Sequence, residues 1–278
     1  MLIKSYSKIN LTLKVNSKQN NGLHEIQSLY CLIDLIDKIN LKKIKKNKDE
    51  ISFKGPFKKF ISSKNNSIYK LLKELRKLKL ISSYYSIKVV KNIPVYGGLA
   101  GGTSNAAFIL RHLLKKKIND NLLKKLEKKI GSDLRLFFKK QGFLRNLKTI
   151  IKIKKKQRLY FLLIKPKIRC STKEIYSKVK NYQIKEKFNK SKINSKNKFR
   201  NYLKKNENDL QFIVEKKYPS IKRLLIDIDN EKGSYLARMT GSGSVCYGLF
   251  EDKILAKRAY NKLKIKYPKF WFSLAKTF

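Results

Sequence analysis

The chain of 278 residues is long enough to bury a core, and its 42% hydrophobic fraction excludes disorder as a description of the whole chain. It carries 68 Lys and Arg against 19 Asp and Glu, a formal net charge of +49 with two open explanations: the codon bias of an A/T-rich genome, or binding to nucleic acid. Arg is scarce beside Lys, and because bidentate phosphate contacts use Arg, the composition favours codon bias.

The first part of the chain predicts strands followed by a helix. Apolar residues that alternate with polar ones over 9–15 predict a half-buried strand, and the apolar density of 25–41 predicts one or two more. Helical spacing of apolar residues predicts a helix over 67–80, and 85–90 is typical of a strand.

The glycine-rich segment 97–102 contains four of the chain's 12 glycines and leads into an apolar helix. Such a loop suits an anion, because glycines allow close approach and the first N–H groups of a helix have no intrahelical partner. Thr103 and Ser104 add hydroxyl groups, either as helix caps or as contacts to phosphate and Mg²⁺. A flexible turn with a Ser/Thr cap is the alternative, and the Lys of a Walker A loop is missing.

The second part of the chain again mixes strands and helices. The polar stretch 181–205 predicts a long loop or a solvated helix, and 209–228 predicts helix with a break at Pro219. The remaining predicted elements are a strand over 159–164, a small-residue loop from Met239 that leads into a strand, a helix over 253–267 and a strand over 270–275.

A Lys-rich segment, 151–158, predicts a boundary between an N-terminal domain, 1–154, and a C-terminal domain, 155–278. Strands and helices are interspersed without a regular βαβ period, which favours an α+β fold.

The cellular compartment is limited by three observations. The three cysteines form no CxxC pair, so neither a disulfide framework nor a zinc cluster is indicated. No apolar run approaches the roughly 18 residues of a membrane-spanning helix, and the chain does not begin with the pattern of a signal peptide. We expect a cytoplasmic protein of a bacterium with an A/T-rich, reduced genome, with an organelle interior as the alternative if a transit segment has been removed.

Seven blocks of sequence resemble one family. The loop Pro94-Val-Tyr-Gly-Gly-Leu-Ala-Gly-Gly-Thr-Ser-Asn-Ala-Ala resembles the P-x-x-x-G-L-G-x-G-S-S-x-A-A signature of the GHMP kinases, named for galactokinase, homoserine, mevalonate and phosphomevalonate kinases. Six further blocks follow the order of the branch that acts on 4-diphosphocytidyl-2-C-methyl-D-erythritol: Ser7-Lys-Ile-Asn-Leu, Gly22-Leu-His-Glu-Ile, Asn66-Ser-Ile, Ile130-Gly-Ser-Asp, Asn208-Asp-Leu and Met239-Thr-Gly-Ser-Gly.

The resemblance implies a two-domain α+β GHMP kinase fold with the active site in the cleft between the halves. It also implies transfer of the ATP γ-phosphate to the 2-hydroxyl of that compound, a step of the non-mevalonate isoprenoid pathway. Asp133 is implied as the base, with Lys8 close by to orient the carboxylate and keep it ionised. Mg²⁺ is expected with ATP, and no dedicated carboxylate ligand is evident, Ser104 being a contact at most.

The residues implied in ATP binding form the loop and one helix start. They are Pro94, Val95, Tyr96, Gly97, Gly98, Leu99, Ala100, Gly101, Gly102, Thr103, Ser104 and Asn66.

The substrate side is implied to contain one histidine and one stacking aromatic. His24 either bonds the cytosine edge or is structural, and Tyr176 either stacks on the cytosine ring or belongs to the core. Asn10 either faces the substrate hydroxyls or makes a structural hydrogen bond. Leu23, Gly241 and Ser242 complete the implied substrate-binding set.

The chain departs from the family pattern at several positions. Leu23 replaces the aromatic that usually precedes the histidine, so one side of the cytosine site would be aliphatic. Tyr96 and Ala100 replace glycines of the loop, which makes the loop tighter, and Arg135 replaces a proline.

Two other functions stay open at this point. One is another small-molecule GHMP kinase of the homoserine or mevalonate type; the other is a basic RNA-binding protein, supported chiefly by the charge. The sequence contains no recognised RNA-binding motif. The expected partner is therefore the small-molecule substrate, with no membrane and no specific nucleic acid.

Overall fold

The computed structural model describes residues 1–20, 22–62, 65–153 and 157–278. In these ranges the strands are β1 (Leu2–Asn10), β2 (Lys14–Lys18), β3 (His24–Ile44), β4 (Glu50–Lys54), β5 (Tyr84–Val90), β6 (Gln141–Asn146), β7 (Thr149–Lys152), β8 (Tyr160–Lys165), β9 (Ser234–Met239), β10 (Cys246–Phe250) and β11 (Trp271–Lys276). The α-helices are α1 (Ser67–Lys77), α2 (Gly101–Leu114), α3 (Asp120–Ile130), α4 (Thr172–Ser177), α5 (Lys196–Lys205), α6 (Asp209–Lys217), α7 (Pro219–Asp229) and α8 (Lys253–Lys266). The α+β class expected from the sequence is confirmed.

The chain divides into two compact units, each built from separate segments of sequence. Unit 1 comprises Met1–Lys8, Leu35–Val95 and Ala100–Lys139, and unit 2 comprises Ile9–Asp34, Tyr96–Leu99 and Lys140–Phe278. The boundary predicted between residues 154 and 155 lies outside the described residues, and the division into domains 1–154 and 155–278 stays a prediction.

Unit 1 combines strands with helices that pack on one another. β5 pairs antiparallel with Lys38–Ile44 of β3, and β4 runs parallel to β5. Helix α1 begins because the Asn66 side chain accepts the N–H groups of Ile68 and Tyr69, and it buries apolar side chains spaced by three and four residues. The predicted helix is thus confirmed, ending at Lys77.

Unit 2 contains a four-stranded antiparallel sheet in the order β11-β8-β10-β9, on which α7 and α8 pack. It also contains the first part of β3, which pairs with β2 and β6, and β6 pairs with β7. Pro219 is the first residue of α7, where its missing N–H is not needed, so the predicted break is confirmed.

One prediction of secondary structure is wrong, and a second is correct only in part. The single half-buried strand over 9–15 is two strands, and Leu11 and Leu13 between them are buried in a connection. The stretch 181–205 contains α5, which buries Phe199, Tyr202 and Leu203, so this helix is not solvated on all sides. Aromatic side chains supply most of its buried face, and a pattern search based on aliphatic residues misses it.

The cysteines are free and buried at all three positions. Burial raises the pKa of the Cys170 thiol to about 11, which keeps it protonated near neutral pH. Within the described ranges, no helix combines the length and the apolar character needed to cross a membrane.

Candidate active site

The N-terminus of α2 belongs to unit 1 and begins inside the glycine loop. Ala100 is the N-cap residue in the left-handed conformation, with φ of 53°, and no side chain caps the helix. The N–H groups of the first turn have no intrahelical acceptor and point out of the helix end. A Cβ on Gly101 would lie 2.8 Å from Ile93 Cγ2, so only glycine fits where the helix starts. This geometry favours the prediction of an anion-binding loop over the alternative of a flexible turn.

The middle of the loop, residues 96–99, belongs to unit 2 and packs on the small-residue loop after β9. Tyr96 and Gly97 accept backbone hydrogen bonds from Ser244 and Val245. Gly98 has φ of 73°, and a Cβ there would lie 2.0 Å from the carbonyl oxygen of Thr240. The two glycine-containing loops therefore touch through their backbones, which explains why a side chain does not fit at Gly98.

The segment before the loop is fixed by one buried carboxylate in unit 1. Asp37 Oδ1 accepts the N–H groups of Asn92 and Ile93, at 2.8 and 2.9 Å. Its Oδ2 accepts the Lys91 ammonium and, at 2.9 Å, the side-chain amide of Asn105 in α2. Burial lowers the pKa of Lys91, an effect that the Asp37 charge opposes. Asp37 therefore binds the chain on both sides of the glycine loop: Asn92 and Ile93 before it, and Asn105 in α2 after it.

The predicted catalytic pair meets within unit 1. Lys8 Nζ, near the end of β1, lies 3.3 Å from Asp133 Oδ2, and the Lys8 side chain is buried. Asp133 follows α3 through Gly131, whose φ of 142° lets the chain turn, and its side chain stays 27% exposed. A Cβ on Gly131 would lie 3.1 Å from Thr103 Oγ1, so this turn passes the first turn of α2.

Arg135 supports the short 3₁₀ helix that follows Asp133. Its buried guanidinium makes two hydrogen bonds to the Glu127 carboxylate, at 2.6 and 2.7 Å, and one to Asp120 at 3.2 Å. The residue that replaces the family's proline therefore ties the turn to α3.

Three residues predicted at the site are bound into the fold by their own side chains. Ser104 is fully buried, and its hydroxyl hydrogen-bonds Ser5 Oγ at 2.7 Å and the carbonyl of Tyr6, which favours a structural role over an ATP contact. Asn10 is also buried and donates to Ser28 Oγ at 2.8 Å, which favours its structural alternative. Asn66 caps α1, and its contact with adenine stays a prediction.

An aromatic cluster surrounds His24 in unit 2. The His24 ring centroid lies 5.1 Å from that of Tyr176 and 6.3 Å from that of Tyr182. Burial and then the charge of Lys18 lower the pKa of His24, so its ring is neutral near pH 7 and offers one donor and one acceptor. The sequence predicted His24 and Tyr176 but not Tyr182. Leu23 is 50% exposed beside this cluster.

The second small-residue loop is anchored inside unit 2. The side-chain amide of Asn208 donates to the carbonyl oxygens of Met239 and Gly241, at 2.8 and 2.9 Å. Ser242 Oγ lies 2.9 Å from Thr172 Oγ1. Gly241 and Ser242 thus lie on a loop that these hydrogen bonds hold in place, and their contact with substrate stays a prediction.

Among the described residues, no group of three or more His, Cys, Asp or Glu side chains is arranged to hold a metal ion. A Mg²⁺ ion held mainly by bound phosphates and water, as is common for Mg²⁺, needs no such group of protein ligands.

Known proteins are similar to this chain in sequence and in fold. The model of the family described as GHMP kinases C terminal matches residues 185–269. The chain is 40% identical over 280 residues to 4-diphosphocytidyl-2-C-methyl-D-erythritol kinase of Pelagibacter ubique (strain HTCC1062), covering 99% of this chain and 98% of that protein. It is 35% identical to the protein of the same name from Caldanaerobacter subterraneus subsp. tengcongensis, covering 96% and 93%. A crystal structure of 4-(cytidine 5'-diphospho)-2C-methyl-D-erythritol kinase shares the fold, with a TM-score of 0.75, 22% identity and 99% coverage of both chains.

Proposed function

The chain belongs to the 4-diphosphocytidyl-2-C-methyl-D-erythritol kinase family of GHMP kinases, and from this premise we propose that it transfers the γ-phosphate of ATP to the 2-hydroxyl of that compound. The observation that carries the proposal is the meeting of Lys8 with Asp133, two residues far apart in sequence, at 3.3 Å in unit 1. Phosphoryl transfer needs a positioned proton acceptor and charge neutralisation, and this pair offers both.

Asp133 acts as the proton acceptor in the proposed reaction. The substrate oxygen forms a bond to the γ-phosphorus while the bond from that phosphorus to the β-phosphate oxygen breaks, and ADP leaves. The hydroxyl proton passes to the Asp133 carboxylate. The buried Lys8 ammonium lies 3.3 Å from the Asp133 carboxylate, where it orients that group and offers positive charge to the transferring phosphoryl group.

The start of α2 holds the phosphates in this proposal. Its first N–H groups and the helix dipole favour negative charge, and the Asp37 network keeps the segment from shifting. Thr103 lies next to the turn that carries Asp133, which suits its hydroxyl to a phosphate or Mg²⁺ contact. When bound, Mg²⁺ neutralises charge that develops on the phosphate oxygens.

The cluster around His24 binds the cytosine base in this proposal. A neutral imidazole can hydrogen-bond the polar edge of the base, and the Tyr176 ring offers a face for stacking. The relatives' name includes a cytidyl group, which the homoserine and mevalonate alternatives lack, so identity at 40% over the full length favours the cytidyl substrate over both alternatives and over an RNA-binding role. The cytoplasmic location and the A/T-rich genome stay predictions.

A substrate panel tests the proposal. The purified protein with ATP and Mg²⁺ is offered 4-diphosphocytidyl-2-C-methyl-D-erythritol, homoserine or mevalonate, and products are identified by mass. We expect the cytidyl compound alone to gain one phosphoryl group. Phosphorylation of homoserine or mevalonate alone would overturn the proposed substrate, and the absence of all three products together with tight RNA binding at physiological salt would overturn the proposed enzyme.

A further inference from the structure

Tyr182 is an exposed aromatic side chain beside the proposed base site in unit 2. Its ring is tilted 30° from that of His24 at a centroid distance of 6.3 Å, and 42% of the residue is exposed. What distinguishes Tyr182 from the other exposed aromatic side chains is its ring contact with His24, and no motif of the sequence pointed to this position.

The segment that carries Tyr182 is held by the strands beside it although it has no regular secondary structure. The N–H of Gln183 donates to the carbonyl of Val15 at 2.8 Å, and the side chain of Asn16 donates to the carbonyl of Gln183 at 2.9 Å. Further along, the Gln27 side chain and the backbone of Glu186 exchange two hydrogen bonds, at 3.0 and 2.7 Å. These contacts hold the 182–186 segment along β2 and β3, so the position of Tyr182 is set by its backbone.

Ion pairs hold the same segment from its side chains. Lys185 Nζ lies 2.9 Å from Glu25 Oε2, and Lys14 Nζ lies 3.6 Å from Glu186 Oε2. By contrast, Ile184 is 92% exposed. The 182–186 segment therefore presents an aromatic ring next to His24 and leaves its aliphatic neighbour in solvent.

Leu23, which directly precedes His24, cannot provide a stacking face. It is exposed and aliphatic, so it offers neither a π-face nor a polar edge. Tyr176 and Tyr182 both offer aromatic surface next to the histidine.

We propose that Tyr182 is a specificity-determining residue that stacks on the pyrimidine base of the cytidyl diphosphate substrate, next to His24 and Tyr176. This inference rests on the proposed function and adds a residue to its base site. Stacking of a base on an aromatic side chain depends on the ring face and not on the phenol hydroxyl. A Phe at position 182 is therefore expected to preserve stacking on the base, and an Ala is not.

Calorimetric binding of CDP and of pyrophosphate tests the proposal on the full chain. Tyr182→Ala is expected to weaken CDP binding about tenfold, and Tyr182→Phe to retain it. Pyrophosphate binding is expected to stay unchanged in both variants because it has no base. Ile184→Ala is the matched control on the same segment and is expected to bind CDP as the unaltered chain does.

Steady-state kinetics gives a second readout. Tyr182→Ala is expected to raise KM for the cytidyl substrate about tenfold with kcat and KM for ATP unchanged, because it removes binding shared by the ground and transition states. CDP binding that is unchanged in Tyr182→Ala, or equally weakened in Tyr182→Phe and Ile184→Ala, overturns the role of Tyr182. Absence of turnover in the unaltered chain instead overturns the proposed function, while the CDP measurement still decides the role of Tyr182.

Discussion

The catalytic region of unit 1 and the aromatic cluster of unit 2 are held in different ways. In unit 1, Asp37 accepts four hydrogen-bond donors in a buried setting, and the buried Lys8 pairs with Asp133. In unit 2, the partly exposed His24 ring contacts the rings of Tyr176 and Tyr182. Proton and phosphoryl transfer need fixed polar atoms, whereas recognition of a base can use faces that tolerate small shifts.

The largest effect is expected for the proposed proton acceptor, Asp133. Asp133→Asn keeps the size of the side chain but cannot accept the proton, so we expect kcat to fall by about 10²- to 10⁴-fold, as measured by ADP release. KM for the cytidyl substrate is expected to change little. Asp229→Asn at the exposed end of α7 is the control, and near-normal turnover of Asp133→Asn would show that another group takes the proton.

Removing the cation of the buried network tests how much the pair of Lys91 and Asp37 stabilises the fold. Lys91→Met leaves the Asp37 charge without its buried partner, so we expect the free energy of unfolding to fall by about 3–5 kcal/mol in a urea titration. Lys46→Met breaks an exposed pair with Glu50 and is expected to have no measurable effect. Equal changes in the two variants would contradict the difference drawn between buried and exposed pairs.

Replacing the left-handed N-cap residue of α2 by glycine is expected to raise stability slightly. Ala100→Gly removes a Cβ that is strained at φ of 53°, and after the entropy cost of glycine we expect the free energy of unfolding to rise by about 0.5 kcal/mol. Ala107→Gly in the same helix is expected to lower it by about 1 kcal/mol. Calorimetric unfolding measures both, and a loss in both variants would contradict strain at position 100.

The smallest effect is expected from the titration of His24. Burial and Lys18 lower its pKa below the ordinary value of 6.5, so the unfolded chain binds the proton more readily than the folded one. The resulting stability is complete above pH 6.5 and is lost as the pH falls through the folded pKa. His24→Gln should remove this dependence, so the free energy of unfolding of the unaltered chain, measured in urea, should fall relative to that of the variant between pH 7.5 and pH 5. A difference that is constant with pH would contradict the lowered pKa.

Local patterns made part of the fold predictable. The spacing of apolar residues after Asn66 and the break at Pro219 depend only on neighbours in sequence, and both are confirmed. A long loop or a solvated helix was expected over 181–205, and the buried face of α5 was missed because it consists largely of aromatics within a Lys- and Asn-rich stretch. The hairpin of β6 and β7 was also missed, since its strands are short and gain their stability from pairing with β3.

The candidate site was predictable where a motif marks it. Lys8 and Asp133 were expected to meet because of the blocks that contain them, and the structure brings them together. The role of Asp37 depends on contacts with residues distant in sequence, and no local pattern distinguishes it from other aspartates. Tyr182 lies in a polar segment whose position follows from hydrogen bonds to β2 and β3, which the sequence alone does not reveal.

The division of labour between the two regions is tested most directly by steady-state kinetics of Asp133→Asn and Tyr176→Ala, measured side by side with the cytidyl substrate. We predict that Asp133→Asn loses kcat with KM nearly unchanged, and that Tyr176→Ala raises KM about tenfold with kcat nearly unchanged. A loss of kcat in Tyr176→Ala as large as that in Asp133→Asn would contradict the separation of chemistry from base recognition.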